Sequence, residues 1–194
     1  MIRALAGALA LLAGIAGAAV PGPVPPAPAP RIDPQASVAT IEVDLRIGGR
    51  VQGRFGALEG QLDRLPDGRL QVSVRLDTRS LVLDGPGWMA RSMRSAKFLD
   101  VERYPWVHFR SEPFDPALVR GGGAMSGTLQ LRGVARRVAF AVDPAGCDEP
   151  GYDCPIHVSG LVSRREFGME AYRAWLHDPV GFDFRVRLRH PERP

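Results

Sequence analysis

The chain has 194 residues, a length that suits one domain or two small ones. Hydrophobic residues make up 45% and charged residues 24%, ordinary globular values that exclude a wholly disordered chain. Twenty-five Lys plus Arg against 21 Asp plus Glu leave a net charge of only +4, no argument for nucleic acid, and two cysteines are too few for a disulfide-built miniprotein.

The N-terminus reads as an export signal. Arg3 supplies a positive start, Ala4 to Val20 carries no charge, and Ala16-Gly17-Ala18 fits the small-x-small cleavage pattern. These features predict a signal peptide over residues 1–18. The alternative is an uncleaved anchor, but the run sits at the short limit of about 17–25 residues for a span. Residues 19–30 are dominated by proline, which excludes helix and ladder pairing and predicts an extended linker. The folded domain is expected over 31–194, periplasmic or secreted, and membrane-tethered if the signal is retained.

From residue 36 onward the patterning has a period of two. Ile41, Val43, Leu45 and Ile47 alternate with Glu42, Asp44 and Arg46. The same rule holds for Val72–Asp77, Val107–Arg110, Leu129–Arg132, Arg137–Val142 and Phe182–Arg189. Each predicts a strand with one apolar and one wet face. Val51–Asp63 and Ile156–Arg165 are weaker candidates, for about eight strands in all. Gly48-Gly49, Pro66-Asp67-Gly68, Gly121-Gly122-Gly123 and Arg132-Gly133 are turn signals between them. Short connections imply antiparallel neighbours. Leu83–Tyr104 breaks the alternation, and Met89, Met93 and Ala96 at helical spacing predict one short amphipathic helix there. Cys147 and Cys154 flank Pro150-Gly151, a turn able to bring the sulfurs together, so a disulfide is expected in an oxidising compartment.

Consecutive antiparallel strands with one apolar face hide that face in a closed barrel or a sandwich. An eight-stranded barrel is either filled by its side chains or holds one small ligand. Periodicity alone does not choose between them.

Several stretches in order resemble the YceI-like, polyisoprenoid-binding family. They are Ile32-Asp33-Pro34 with Ser37-Val38, Gly53-Arg54-Phe55 with Glu59-Gly60, and Arg94 through Asp100 followed by Tyr104-Pro105 and Phe109-Arg110-Ser111. Gly127 through Val134 and Arg164-Arg165-Glu166-Phe167-Gly168-Met169 complete the series. The register holds from about residue 31 to 189. Two departures are Ala36, where the family often has His, and Glu166, where it has Asp. The resemblance implies an all-β, eight-stranded, antiparallel lipocalin-like barrel with a short helical insertion. It also implies an apolar tunnel for an isoprenoid chain, either of a quinone or of a polyprenyl lipid.

On that reading the lining candidates are Phe55, Val74, Phe98, Val107, Phe109, Leu129, Phe140, Phe182 and Phe184, each equally explicable as core. Polar candidates for a head group are Arg94, Tyr104 and Arg164. Arg94 has an ion pair with Asp100 as its structural alternative, and Arg164 one with Glu166. The ladder Arg185, Arg187 and Arg189 reads as a solvated strand face, with an anionic lipid surface as the lesser alternative.

No catalytic pattern is present. His108, His157, His177 and His190 show no metal-ligand spacing, and no nucleophile elbow or phosphate loop occurs. No catalytic residue, metal or cofactor is expected. The expected function is an exported binding protein that transports, stores or sequesters an isoprenoid lipid or quinone, with membrane contact for lipid exchange. The alternatives are a filled barrel acting as a periplasmic interaction or stress module, and an enzyme acting on a bound lipid. A polar residue deep among the lining positions would favour the enzyme.

Overall fold

The alternating segments form strands because a period of two puts every apolar side chain on one face. A computed structural model describes residues 29–190. It contains ten strands: β1 (Val38–Leu45), β2 (Arg50–Phe55), β3 (Leu58–Arg64), β4 (Leu70–Asp77), β5 (Leu81–Leu83), β6 (Trp106–Ser111), β7 (Gly123–Leu131), β8 (Val134–Val142), β9 (Ile156–Ser163) and β10 (Leu176–Val186). Two helices interrupt them, α1 (Gly87–Arg94) and α2 (Ala117–Gly121). One-turn helices occur at Thr78–Ser80 and Arg164–Phe167.

All neighbouring strands pair antiparallel, in the order β3-β4-β6-β7-β8-β9-β10-β1-β2-β5. The two ends of that order are physically joined. β2 runs into β3 through Gly56-Ala57, and β4 runs into β5 through the turn at Thr78–Ser80. The Gly56 amide donates to the Ser80 carbonyl at 3.2 Å, and the Asp77 amide to the Ala57 carbonyl at 3.3 Å, so the two bends stay in contact. Each bent pair counts as one strand. The ten segments therefore make the eight strands the alternation predicts, curled antiparallel into a barrel. Residues before β1 help to seal it: Arg31 bridges Gln61, and Ile32 bridges Leu188.

The helical insertion lies where the alternation fails, but it is shorter than Leu83–Tyr104: α1 ends at Arg94, and Ala96 falls beyond it. The strand β5 and helix α2 have no signal in the alternation, because each is only one turn or three residues long. Cys147 and Cys154 are bonded, with their Cα atoms 6.1 Å apart. The predicted signal peptide and most of the proline linker lie outside the described residues.

One seam in the wall is incomplete. β8 and β9 pair only at Ala141↔Ser159 and Val142↔Val158, with the Asp143 amide donating to the His157 carbonyl at 3.0 Å. Every other long strand pair is registered along most of its length.

Candidate functional site: an apolar cavity in one half of the barrel

The interior is divided across its waist. One half is filled by aromatic rings. Phe140 meets Phe109, Phe182 and Phe184 edge-on at centroid separations of 5.2, 6.1 and 6.0 Å. Edge-to-face packing suits the positive ring edge and negative ring face. Two inward glycines make room for these rings. A Cβ at Gly127 would stand 2.6 Å from the Phe109 ring, and one at Gly160 would stand 2.6 Å from Phe140. Only about 90 Å³ remains open in this half. Phe114 and Val119, beside and within α2, help to line it, as do Ile156, Val186 and Leu188. The disulfide loop ties down the same end: the Leu188 amide donates to the Gly151 carbonyl, and Arg187 donates to the Tyr152 carbonyl, each at 2.8 Å.

The other half is hollow. A cavity of about 500 Å³ lies between the Val43–Leu45 end of β1, the inner face of α1, and the Leu176–Phe182 part of β10. That volume falls within the range of about 300–1,000 Å³ usual for small-molecule pockets. Val107 and Phe182 are shared with the small void and form the floor. The wall is apolar almost throughout, with Ser92, Arg164 and Tyr172 as exceptions. The helix turns Trp88, Met89 and Met93 inward, because those positions recur on one face of a 3.6-residue helix. Tyr172 stacks on Phe98 at 5.6 Å and accepts a 3.3 Å hydrogen bond from the Ser92 hydroxyl, which joins the 172–175 turn to α1.

Arg164 is the one charged side chain on this wall, and it is only 2% exposed. Its Nη1 donates to the carbonyls of Met169 and Ala171, and its Nε donates to that of His177 at 3.1 Å. The guanidinium thus ties the one-turn helix after β9 to the 169–177 segment. Burial lowers its pKa below the ordinary arginine value. Asp178 faces Arg165 instead, at 3.0 Å, and accepts from the Ser163 hydroxyl at 2.7 Å.

The sequence candidates therefore separate into three groups. Phe55, Phe98, Val107, Arg164 and Phe182 line the large cavity. Val74, Phe109, Leu129, Phe140 and Phe184 belong to the filled half, with Val107 and Phe182 at the boundary. Arg94 and Tyr104 line neither cavity. Arg94 turns away from the inner face of α1, and its Nη2 donates to the Leu81 carbonyl at 3.4 Å rather than pairing with Asp100. Tyr104 lies against Gly133 in the β7–β8 hairpin, outside the barrel lumen. Arg164 takes backbone carbonyls where an ion pair with Glu166 is the sequence expectation.

Sequence reasoning misses most of the open rim, namely Ile47, Trp88, Tyr172 and Trp175. Tyr172 and Trp175 sit in turns, where no period marks a face, while Ile47 continues the alternation of β1 past its end and Trp88 is legible from its spacing to Met89 and Met93 on α1. His157 is also missed. It lies between Asp143 and Asp183, with Nδ1 and Nε2 each 2.5 Å from a carboxylate oxygen. Hydrogen bonds to Asp183 and then Asp143 raise its pKa above the ordinary value. These three groups lie on the outer face and do not converge on a common point. Among the described residues no cluster of three or more His, Cys, Asp or Glu is arranged to hold a metal.

A barrel with an apolar chamber at one end has an architecture suited to an apolar ligand. The profile of the YceI-like domain matches residues 31–189, and the chain belongs to that family. Among solved structures it is similar to a polyisoprenoid-binding domain from Saccharophagus degradans implicated in plant cell wall breakdown. The identity there is 19%, with 84% of this chain and 99% of that chain covered and a TM-score of 0.63. BcnA from Burkholderia cenocepacia is 18% identical over 80% of this chain and 98% of its own, with a TM-score of 0.64. The YceI protein of Campylobacter jejuni is 16% identical over 72% and 85%, with a TM-score of 0.52. These likenesses establish the fold. No match was found among curated proteins.

Proposed function

We propose that this chain is an exported carrier or store that holds an isoprenoid chain, of a quinone or a polyprenyl lipid, in the hollow half of its barrel. The observation that carries the reading is the chamber of about 500 Å³ with an almost wholly apolar wall. An isoprenoid chain offers no directional bond and gains about 25 cal/mol for each Å² removed from water. A chamber built from Val, Leu, Ile, Met and Phe suits such a chain, and membership of the YceI-like family supports it. Export is supported by the uncharged N-terminal run and by the disulfide, which persists in oxidising compartments.

The filled-barrel alternative describes only the Phe140 half of the molecule. The enzyme alternative asks for a polar group deep in the lining, and Arg164 is such a group. Its Nε and Nη1 donors are committed to backbone carbonyls, and a guanidinium is neither a nucleophile nor a base.

The direct experiment is native mass spectrometry of the natively expressed protein, with organic extraction of whatever it carries. A long-chain isoprenol is then added to protein stripped of lipid. One isoprenoid per chain is the expected result. No extracted lipid together with no uptake would overturn the proposal. Val180→Phe, which narrows the chamber from β10, is expected to weaken isoprenol binding at least tenfold while leaving the unfolding midpoint nearly unchanged.

A further inference from the structure

We infer that the open end of the barrel docks on an anionic lipid bilayer through a rim made by Ile47, Trp88, Tyr172 and Trp175. The inference rests on the isoprenoid reading, since it names the surface from which such a ligand enters and to which it returns.

Six large apolar side chains stand out as exposed among the described residues, and these four are 73, 55, 40 and 55% exposed. The same four line the large cavity. A residue that is both solvent-exposed and cavity-lining stands at the mouth. Scattered exposed hydrophobics are ordinary on a soluble protein, but four gathered around one opening form a contiguous patch that marks an interaction surface. The composition narrows the partner. Trp and Tyr have an apolar body and a polar tip, and they favour the water–hydrocarbon boundary of a bilayer.

The charges beside the rim are cationic. Arg46 precedes Ile47, Arg91 is one helical turn from Trp88, and Arg173 lies between Tyr172 and Trp175. Among the described residues neither Arg46 nor Arg91 has a carboxylate within ion-pair distance, and Arg173 has only Glu170, at 3.4 Å. The nearby carboxylates Glu42 and Asp44 are both engaged by Arg50. Anionic lipid head groups complement such a rim, and each Arg near the surface adds attraction. The three rim segments are also tied to one another. The Arg46 amide donates to the Trp175 carbonyl at 2.9 Å, Arg46 Nε donates to the Arg173 carbonyl at 3.0 Å, and Ser92 of α1 reaches Tyr172. An arrangement braced in this way seats on a flat surface without reorganising.

The chain carries its own reporters. Its three tryptophans are Trp88, Trp175 and Trp106. Trp106 lies on the outer wall under Arg75, 4.8 Å from its guanidinium, and lines no cavity. Three single-tryptophan versions of the full chain, with Phe at the other two sites, are mixed with vesicles carrying brominated acyl chains and either phosphatidylglycerol or only phosphatidylcholine. Quenching of Trp88 and Trp175 at least twice that of Trp106, and only with the anionic vesicles, is the expected result. Arg91→Glu with Arg173→Glu is expected to lower the vesicle partition constant at least tenfold and to leave isoprenol uptake from lipid-free solution unchanged. Equal quenching at all three sites, or none at Trp88 and Trp175, would overturn docking by the rim. So would a concentration-dependent dimer that hides both rim tryptophans and excludes vesicles. Uptake of isoprenol without rim quenching defeats the docking inference alone. Rim quenching without uptake defeats the ligand reading and leaves the docking surface standing.

Discussion

The two halves of this barrel share eight strands and one family of apolar residues, yet one half is full and the other is hollow. The difference lies in which side chains reach the axis. In the filled half, rings from β6 and β10 converge on Phe140 of β8, and two inward glycines make room for them at the wall. In the hollow half the inward residues of β1 are Ile41, Val43 and Leu45, too short to meet across the lumen, and α1 lines the opening with Trp88, Met89 and Met93. Alternation makes both walls equally well. It says nothing of the space between them, which depends on side-chain length summed over strands distant in sequence.

The sharpest way to break the comparison is to empty the full half. Phe140→Ala removes the ring that three others contact, and Phe140 is only 3% exposed. A loss of about 3–5 kcal/mol is expected from urea unfolding, with the small void enlarged. Met93→Ala, on the wall of a chamber already open, is expected to cost about 1 kcal/mol, because much of its surface faces space rather than packed atoms. If the two substitutions cost the same, the halves do not differ in packing. Next in size is Arg164→Met. It removes the donor to one buried and two part-buried carbonyls, and a loss of about 2–3 kcal/mol is expected in the same assay. Replacing Cys147 and Cys154 by Ala releases a short loop at the filled end, for about 2.5 kcal/mol by loop entropy. Isoprenol binding at the opposite end is expected to be unaffected, and a change there would show that the two ends are coupled.

Much of the fold is legible in the sequence, because six runs of period two and two weaker candidates mark the eight barrel strands, and Gly-rich turns mark the connections between neighbours. The bends that split Val51–Asp63 into β2 and β3, and that create β5, are not legible. They follow from curvature imposed by neighbouring strands. The candidate site is legible only in part. Phe55, Phe98 and Phe182 come from inward parity or family motifs and do line the chamber. Phe109, Phe140 and Phe184 have the same parity, and nothing local distinguishes them, since their partners are supplied by pairing across the barrel. Arg94 and Arg164 look alike as motif arginines. One turns out along α1 and the other is buried, a difference set by helix orientation and by three distant carbonyls.

The smallest expected effect sharpens the comparison at the seam. β8 and β9 pair only near the filled end, and His157 crosses that point between Asp143 of one side and Asp183 of β10. The two carboxylates raise its pKa, so the folded state holds the proton more tightly than the unfolded chain does. The stabilisation is therefore complete below the unfolded value of about 6.5 and fades as pH rises through the higher folded value. Above that value a neutral imidazole satisfies one carboxylate as a donor and leaves the other facing its lone pair. The side chain is 34% exposed, so solvent screens the interaction and the contribution is expected to stay below about 1 kcal/mol. His157→Gln is expected to flatten this part of the stability profile, with the clearest gap from the unsubstituted chain at pH 6 and little gap at pH 9. Hydrogen exchange at Ser159 and Val158 locates the effect. A protection factor that falls at high pH relative to the intrinsic base-catalysed rate, at these residues and not in the β1–β10 pair, would show that the clasp closes the seam only where the barrel is full.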